Sequence, residues 1–227
     1  FGIEQEYVLM MNYGLPAGWP FKGEPDPQGD YYCGNGANLV AGRGIVNKHL
    51  DACLDAGLQI CGTNAEVMLG QWEFQIGPLG PIEVSDQLWV ARFLLQRIAE
   101  QSDMTVSYDA KPIEGDWNGS GCHTNFSTKG MRAQGGLTLC EKACVALGER
   151  AALHMENYGT GADRRLTGKH ETCSYKEFRW GVSDRGASIR IPWQVAKEKR
   201  GYIEDRRPNA DCDPYVVTRL ITEAACS

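Results

Sequence analysis

Several patterns are missing from this sequence, and each absence excludes a class of protein. Nine cysteines occur, but no two are spaced as C-x-x-C, so neither a zinc knuckle nor a redox pair is indicated. No apolar run approaches the ~18–20 residues of a membrane span. No G-x-x-x-x-G-K-[ST] segment occurs, so the chain has no Walker loop. The cysteines are therefore expected to be reduced thiols, most of them buried, in a reducing compartment.

Positive charge is also in deficit. The chain has 23 Lys and Arg against 29 Asp and Glu, a formal net charge of −6 and a pI near 5.3. This balance argues against a broad surface for nucleic acid or for an anionic membrane. The sequence opens with Phe1 in a strand-like run and lacks an initiator Met, so we expect a fragment of a larger protein, with any targeting peptide outside it.

The hydrophobic periodicity predicts one α/β (α+β) domain over residues 1–227. Strands and helices do not alternate strictly, which favours a mixed or antiparallel sheet flanked by helices over a doubly wound one. A Gly/Pro-rich stretch at 14–29 predicts a long loop. Helices are predicted over 46–54, from 85, over 140–155 and from 214 with Asp213 as N-cap; strands are predicted over 1–10 and near 58–63, 72–76, 104–108, 122–127 and 187–191.

Carboxylates at strand spacing are the first candidate for a functional site. Glu4 and Glu6 are two apart on the first predicted strand, so both side chains leave the same face. In isolation this pattern is typical of an exposed acidic strand face. If the two carboxylates are instead buried side by side, a cation has to neutralise them. Four more candidate ligands follow at Glu66, Glu73, His123 and Glu204. Oxygen and imidazole donors without thiolates suit Mg²⁺ or Mn²⁺.

Basic residues form the second candidate. Three arginine clusters occur in this net-acidic chain, at 164–165, 185–190 and 206–207. A single pair is usually solvated surface, but three clusters, one of them beside Glu204, suggest a clamp for phosphate and carboxylate groups. The Gly-rich run from 115 to 123 is weaker evidence for a site. Its glycines either form a turn or allow the backbone to approach a ligand closely.

Six ordered segments together resemble the signature blocks of the glutamine synthetase family, of the eukaryotic type. They are FGIEQEY, NAEVMLGQWEFQIGP, KPIEGDWNGSGCHTNFSTK, RRLTGKHET, RGASIRIP and GYIEDRRPNADCDPY, and they extend over essentially the whole chain. The resemblance implies a glutamine synthetase/guanido kinase-like catalytic domain. It also implies that the family's smaller N-terminal β-grasp domain is absent from this chain.

The resemblance implies roles for individual residues. Glu6, Glu66 and Glu73 would hold one metal ion, and Glu4, His123 and Glu204 a second, with two or three Mg²⁺ or Mn²⁺ ions per site. Glu171 would act as the catalytic flap residue together with Arg185. Glutamate would be bound by Asn118, Gly119, Arg165, Arg185 and Arg206, and ATP by Asn125, Phe126, Ser127, Arg185, Arg190 and Tyr202.

The activity implied by the resemblance is ATP-dependent ligation of ammonium to L-glutamate through γ-glutamyl phosphate, a reaction of nitrogen assimilation. The partners implied are glutamate, ammonium, ATP and further copies of the chain, in a decamer whose active sites are shared between subunits. The implied compartment is the cytoplasm, with plastid or mitochondrion open because the N-terminus is missing. Leu69 and Trp193 depart from the family pattern, and Trp193 could weaken a nucleotide contact.

Two other interpretations remain at this stage. A different carboxylate-metal enzyme, such as a hydrolase or a guanidino-kinase-like phosphotransferase, would use the acidic residues but would leave the arginine clusters unexplained. A structural or regulatory relative that had lost activity would have no reason to keep buried carboxylates together.

Overall fold

Eight β-strands form one sheet in the computed structural model, which describes residues 1–226. The order across the sheet is β2-β3-β1-β5-β8-β7-β6, and β4 pairs with β1 beyond the end of β5. All pairs are antiparallel except β6 with β7, which confirms the predicted mixed sheet. The strands are β1 Gly2–Met11, β2 Ile60–Ala65, β3 Gln71–Ile76, β4 Met104–Ser107, β5 Cys122–Phe126, β6 Trp180–Val182, β7 Ile189–Ile191 and β8 Ile203–Asp205.

Eight helices complete the described chain. They are α1 Arg43–Asp55, α2 Pro81–Glu100, α3 Lys129–Arg132, α4 Leu137–Glu149, α5 Ala151–Asn157, α6 Ala162–Arg165, α7 Trp193–Glu198 and α8 Pro214–Ala225. Helix α2 packs against α1, α8 and the strands β1, β3 and β4, and α8 also packs against α4. The longest helix, α2, therefore covers one side of the sheet, with α1 and α8 packed beside it.

The two faces of the sheet differ in chemistry. On β1, Ile3 and Tyr7 point into the main hydrophobic core, whereas Glu4 and Glu6 leave the opposite face, as the spacing predicts. Strand β3 repeats the pattern, with Phe74 in the core and Glu73 on the polar face. One face is thus packed under helices, and the other is left for loops and the polar residues.

Several predicted boundaries are wrong. Helix α2 begins at Pro81, four residues before the predicted start, because Gly80 and Pro81 supply the N-terminus and Ser85 lies inside, where its hydroxyl donates to the Pro81 carbonyl. Leu54 does not belong to the buried stripe of α1, since its exposed fraction is 54%. The predicted helix 140–155 is two helices, which meet at Arg150.

Two short strands were not predicted at all, β6 and β8. Each has three residues, too few for a hydrophobic period to register, and β8 carries Glu204. The last helix is confirmed: Pro214 is its first residue, and the Asp213 carboxylate accepts a hydrogen bond from the Tyr215 amide at 3.0 Å.

The cysteines are free thiols, six of them buried and three exposed. None of the helices in residues 1–226 has the length and apolar composition that crossing a bilayer requires.

Replacing the cap of α8 should destabilise the domain. Asp213→Ala removes an exposed hydrogen bond to an otherwise unpaired helical amide, and we expect the free energy of unfolding to fall by about 1 kcal/mol. Urea denaturation followed by circular dichroism measures the change. Glu223→Ala, in an exposed i,i+4 pair of the same helix, is the matched control and should change stability by less than about 0.5 kcal/mol. Equal losses in both variants would contradict a capping role.

Candidate active site

Strand register brings five of the six candidate ligands together on the polar face. In the β1–β5 pair, Glu4 lies opposite His123, and in the β1–β3 pair Glu6 lies opposite Glu73. Glu204 of β8 lies opposite Asn125, and is therefore diagonal to His123. The pleat turns these side chains to the same side of the sheet, so residues far apart in sequence become neighbours.

The candidate ligands form two groups. Glu4, His123 and Glu204 make the first, and Glu6, Glu66 and Glu73 make the second; within each group, one donor atom from each residue lies within 4.8 Å of the others. Glu66 reaches its group from the turn that joins β2 to β3, where its amide bonds to the Gln71 carbonyl at 2.9 Å. The grouping agrees with the two ligand sets that the family resemblance implies.

Burial and mutual repulsion raise the pKa values of two carboxyls of the second group, Glu66 and Glu73. Burial, reinforced by the charge of Glu6, raises the pKa of Glu66 to about 8. Burial and then the charges of Glu4 and Glu6 raise the pKa of Glu73 to about 9. Hydrogen bonds from Asn64 to Glu66, at 3.0 Å, and from Gln75 to Glu73 oppose the shift without cancelling it. Ionising this group therefore requires a cation.

The first group is compensated differently. Glu204 is fully buried, and its carboxylate accepts hydrogen bonds from Arg190 and, at 2.7 Å, from Arg206. Burial, reinforced by the positive charge of Arg206, lowers the pKa of His123 to about 4, so its imidazole is neutral at neutral pH and can act as a ligand. Its Nδ1 atom lies 3.6 Å from carboxylate oxygens of both Glu4 and Glu204.

Arg165 is buried at the base of the site, and the Gly-rich loop is shaped around it. Its guanidinium donates to the carbonyls of Arg206 and Arg207 at 2.9 and 3.1 Å, and to the Asn209 side chain at 3.0 Å. A Cβ atom at Gly121 would lie 2.3 Å from an Arg165 nitrogen, and one at Gly119 would lie 2.8 Å from its Cγ. These two glycines are thus required for a close approach, and not for a positive φ.

A loop carrying Glu171 covers one side of the site. The Glu171 carboxylate pairs with Arg185 at 3.2 Å, and its carbonyl accepts from Arg206 at 3.3 Å. His170 and Glu171 both have positive φ, of 52° and 57°, a conformation that is unfavourable for residues with a Cβ. His170 pairs with Asp116 at 2.9 Å. Contacts between this loop and its surroundings therefore hold an unfavourable backbone in place.

Two cavities adjoin these residues. The acidic cavity, of about 310 Å³, is lined by the whole second group, by Glu4 and His123 of the first, and by Asn118, Gly119, Arg165, Glu171, Arg185, Arg190 and Arg206. Glu204 is fully buried and is not part of the lining. The apolar cavity, of about 870 Å³, is lined by Ile76, Pro78, Leu79 and Phe126, and also by Asn125, Ser127 and Tyr202. Glu4 lines both, so the two cavities meet at the first ligand group.

The residues predicted to bind ATP are divided between these cavities. Asn125, Phe126, Ser127 and Tyr202 lie at the apolar cavity, whereas Arg185 and Arg190 lie at the acidic one. Asn125 donates to Glu4 at 2.7 Å, and the Ser127 hydroxyl donates to the Gly201 carbonyl at 2.6 Å. Trp193 lines neither cavity and is 62% exposed, with the Lys197 ammonium over its ring.

Some residues of the site were not predicted. The Gln75 side-chain amide donates a hydrogen bond to the Glu73 carboxylate. The two residues are two positions apart on β3 and therefore share a face, so this spacing could have identified Gln75 from the sequence. Gln28 accepts from the Asn118 amide at 2.6 Å and contacts His170 at 3.1 Å. It lies in the long loop after β1, where no periodic pattern indicates which side chains face inward.

Comparison with known proteins places the chain in a family. The family model described as "Glutamine synthetase, catalytic domain" matches residues 1–138. A glutamine synthetase of Streptomyces viridochromogenes is 58% identical over 227 residues, all of this chain and 66% of that protein. The cytosolic isozyme 2 of Vitis vinifera is 55% identical over 225 residues, 99% of this chain and 63% of that protein. A chloroplastic glutamine synthetase of Brassica napus is also 55% identical, over 98% of this chain and 52% of its own length.

A solved structure described as "Apo GmaS without ligand" has the same fold, with a TM-score of 0.76 at 19% identity. It is matched over 99% of this chain and 52% of its own. The chain spans about two thirds or less of the length of the three relatives above. The matched family model, the identity of more than half of all residues and the shared fold lead to one conclusion: this chain belongs to the glutamine synthetase family.

Proposed function

We propose that the protein joins ammonia to L-glutamate at the expense of ATP, giving L-glutamine through γ-glutamyl phosphate. The observation that carries the proposal is the meeting of the two ligand groups with arginines at one acidic cavity. Five of the six candidate ligands line it together with Arg185, Arg190 and Arg206, and the sixth, the buried Glu204, pairs with the last two of these arginines. Hydrolysis at a metal site would need the carboxylates but not the arginines. Transfer of a phosphoryl group to a carboxylate brings several negative charges together and therefore needs both.

The residues present fit divalent metal ions. The two groups offer carboxylate oxygens and one imidazole, the donors that suit Mg²⁺ or Mn²⁺, and no thiolate belongs to either. The raised pKa values of Glu66 and Glu73 give the second reason, since carboxylates are costly to bury together without a cation. Glu6, Glu66 and Glu73 would hold one ion, and Glu4, His123 and Glu204 another. Bound ions would offset the negative charge that gathers during phosphoryl transfer.

The two substrates would bind in different cavities. The adenine and ribose would lie in the apolar cavity beside Phe126 and Tyr202, with the phosphates directed past Glu4 towards Arg190. Glutamate would lie in the acidic cavity against Asn118 and Gly119, with Arg165, Arg185 and Arg206 around its carboxylates. Arg165 already donates its hydrogen bonds to protein oxygens and to Nε2 of His123, so it would act chiefly through its charge and by holding His123 and the 206–209 segment.

Two chemical steps follow from this arrangement. In the first, a γ-carboxylate oxygen of glutamate takes the terminal phosphoryl group of ATP, and ADP leaves. In the second, the nitrogen of ammonia attacks the acyl carbon, the bond from carbon to the phosphate oxygen breaks, and phosphate departs. Glu171 would accept a proton from the nitrogen, and its loop would exclude water from the acyl phosphate.

We propose further that residues 1–227 form the catalytic domain and that an N-terminal β-grasp domain outside this chain completes the site of a neighbouring subunit. The support is the length of the relatives, of which this chain spans between 52% and 66% in the three cases above. A homo-oligomer, in the family resemblance a decamer, would bring the two parts together.

The function is tested by two measurements on the 227-residue chain and on the complete protein. The chain should bind Mn²⁺ and a non-hydrolysable ATP analogue in calorimetric titration, yet produce little glutamine, because one side of its site is open to water. The complete protein should form γ-glutamyl hydroxamate from glutamate, ATP and hydroxylamine. ATP cleavage without hydroxamate in the complete protein would favour a hydrolase, and full activity of the chain alone would contradict the shared site.

Removing one carboxylate of the second ligand group should stabilise the metal-free chain. The pKa of Glu73 lies above its usual value in the folded state, so this carboxyl opposes folding at neutral pH, where the unfolded chain ionises it freely. Glu73→Gln should therefore raise the free energy of unfolding in EDTA by on the order of 1–3 kcal/mol. The same variant should lose most of the thermal stabilisation that Mn²⁺ gives the wild type.

Glu114→Gln is the matched control, because the Glu114 side chain is 83% exposed and its neutralisation relieves no burial. Thermal denaturation in EDTA and in Mn²⁺ measures both effects. A Glu73→Gln variant less stable than the wild type in EDTA would contradict the electrostatic account of this group.

Glu171 is tested in the complete, active protein. Glu171→Ala should leave the binding of ATP and glutamate nearly intact, while amide formation falls by ~10²–10⁴, the usual contribution of a positioned acid or base. Lys169→Ala changes an exposed residue of the same loop and is the control, with activity expected within about twofold of wild type. Activity of Glu171→Ala within a few-fold of wild type would exclude a catalytic role.

A further inference from the structure

A buried cation lies behind the site, on the helix-covered face of the sheet. Arg92 of α2 has an exposed fraction of 5%, and its four hydrogen bonds go to uncharged oxygens. Its guanidinium also lies over the rings of Trp89, at 4.9 Å, and Tyr108, at 5.4 Å. A buried charge without a carboxylate partner is costly, so these contacts call for an explanation beyond packing.

The first partner of Arg92 is the residue between two candidate metal ligands. The Gln5 side-chain oxygen accepts from Arg92 Nε at 2.8 Å and from Nη2 at 2.6 Å. Gln5 lies between Glu4 and Glu6 on β1 and points to the opposite face. Its amide donates to the Glu6 carbonyl at 2.7 Å, so Arg92 is linked to the backbone that carries both carboxylates.

The second partner is the segment that continues from β8. Arg92 donates to the Ala210 carbonyl at 2.9 Å and to the Cys212 carbonyl at 3.0 Å. Gln5 also donates to Ala210, at 3.1 Å. This segment follows Glu204 by only six to eight residues. One guanidinium therefore joins the strand that bears Glu4 and Glu6 to the chain that bears Glu204.

We propose that Arg92, acting through Gln5, is a positioning residue that sets the spacing between β1 and the 204–212 chain, and hence the geometry of both ligand groups. The inference rests on the proposed metal-dependent function and deepens it. The first group depends on this spacing directly, because Glu4 and Glu204 come from the two parts that Arg92 joins. The second group depends on it through Glu6, whose carbonyl is held by Gln5.

A merely structural arginine would make the same contacts, so the test measures metal binding and not stability alone. The 227-residue chain and its variants are titrated with Mn²⁺, and free Mn²⁺ is followed by electron paramagnetic resonance at a temperature where circular dichroism shows each protein folded. In Arg92→Met the dissociation constants of both ligand groups should rise about tenfold or more, the size of effect known for residues that orient metal ligands.

Two further variants define the effect. Arg92→Lys keeps the charge but loses the fork that bonds to Gln5 and Ala210 together, so its dissociation constants should fall between wild type and Arg92→Met. Arg97→Met, on the exposed side of the same helix, is the matched control and should bind Mn²⁺ within twofold of wild type.

Wild-type Mn²⁺ affinity in a folded Arg92→Met, whatever its loss of thermal stability, would overturn the inference and leave the proposed function standing. If Arg92→Met does not fold, Arg92→Lys decides by the same criterion. A wild-type chain that binds no Mn²⁺ would instead contradict the proposed function itself, and the role of Arg92 with it.

Discussion

The concentration of buried negative charge on one face of the sheet is the constraint to which the rest of the structure responds. Glu6, Glu66, Glu73 and Glu204 are all buried. Antiparallel register turns the three that lie on strands to the same side of the sheet, and Glu66 joins them from the turn between β2 and β3. Helices packed against the opposite face supply the hydrophobic burial that holds such strands in register. The polar face can therefore carry charges that would not assemble without a rigid support.

The protein compensates the buried carboxylates of the two ligand groups to different extents. Glu204 has two arginines against it, so the first group is largely neutralised by the protein. The second group has amide donors from Asn64 and Gln75, and the pKa values of Glu66 and Glu73 remain raised. Under the proposed function, the second group depends more strongly on a bound cation. The arginines at the first group are then placed where phosphate and carboxylate charge would enter.

The division of the six candidate ligands into the two groups that lie together in the structure could be predicted from the sequence, although only through the family resemblance. Strand spacing alone predicted that Glu4 and Glu6 share a face, but not that they join different groups. That division depends on β3 and β5 lying on opposite sides of β1, and these pairings join residues more than 60 positions apart, which no local pattern encodes. Arg165 shows the same limit: its sequence position suggested a contact with glutamate, whereas its hydrogen bonds go to backbone and Asn209 oxygens and to Nε2 of His123.

On the helix-covered face, behind the site, the strands that bear candidate ligands also carry buried polar residues. On β8, Asp205 points away from the cavity and is paired with Arg207, with the Tyr158 hydroxyl donating to it at 3.0 Å. On β1, Gln5 occupies the corresponding position with Arg92. Buried polar networks of this kind seldom stabilise a core more than apolar residues of similar volume would. Hydrophobic burial fixes which face of each strand is turned to the core, whereas hydrogen bonds of fixed length and direction also set the distances between neighbouring segments. The strands that bear the ligands are thus the ones held by directional contacts from behind, and this favours a role in alignment over a role in stability.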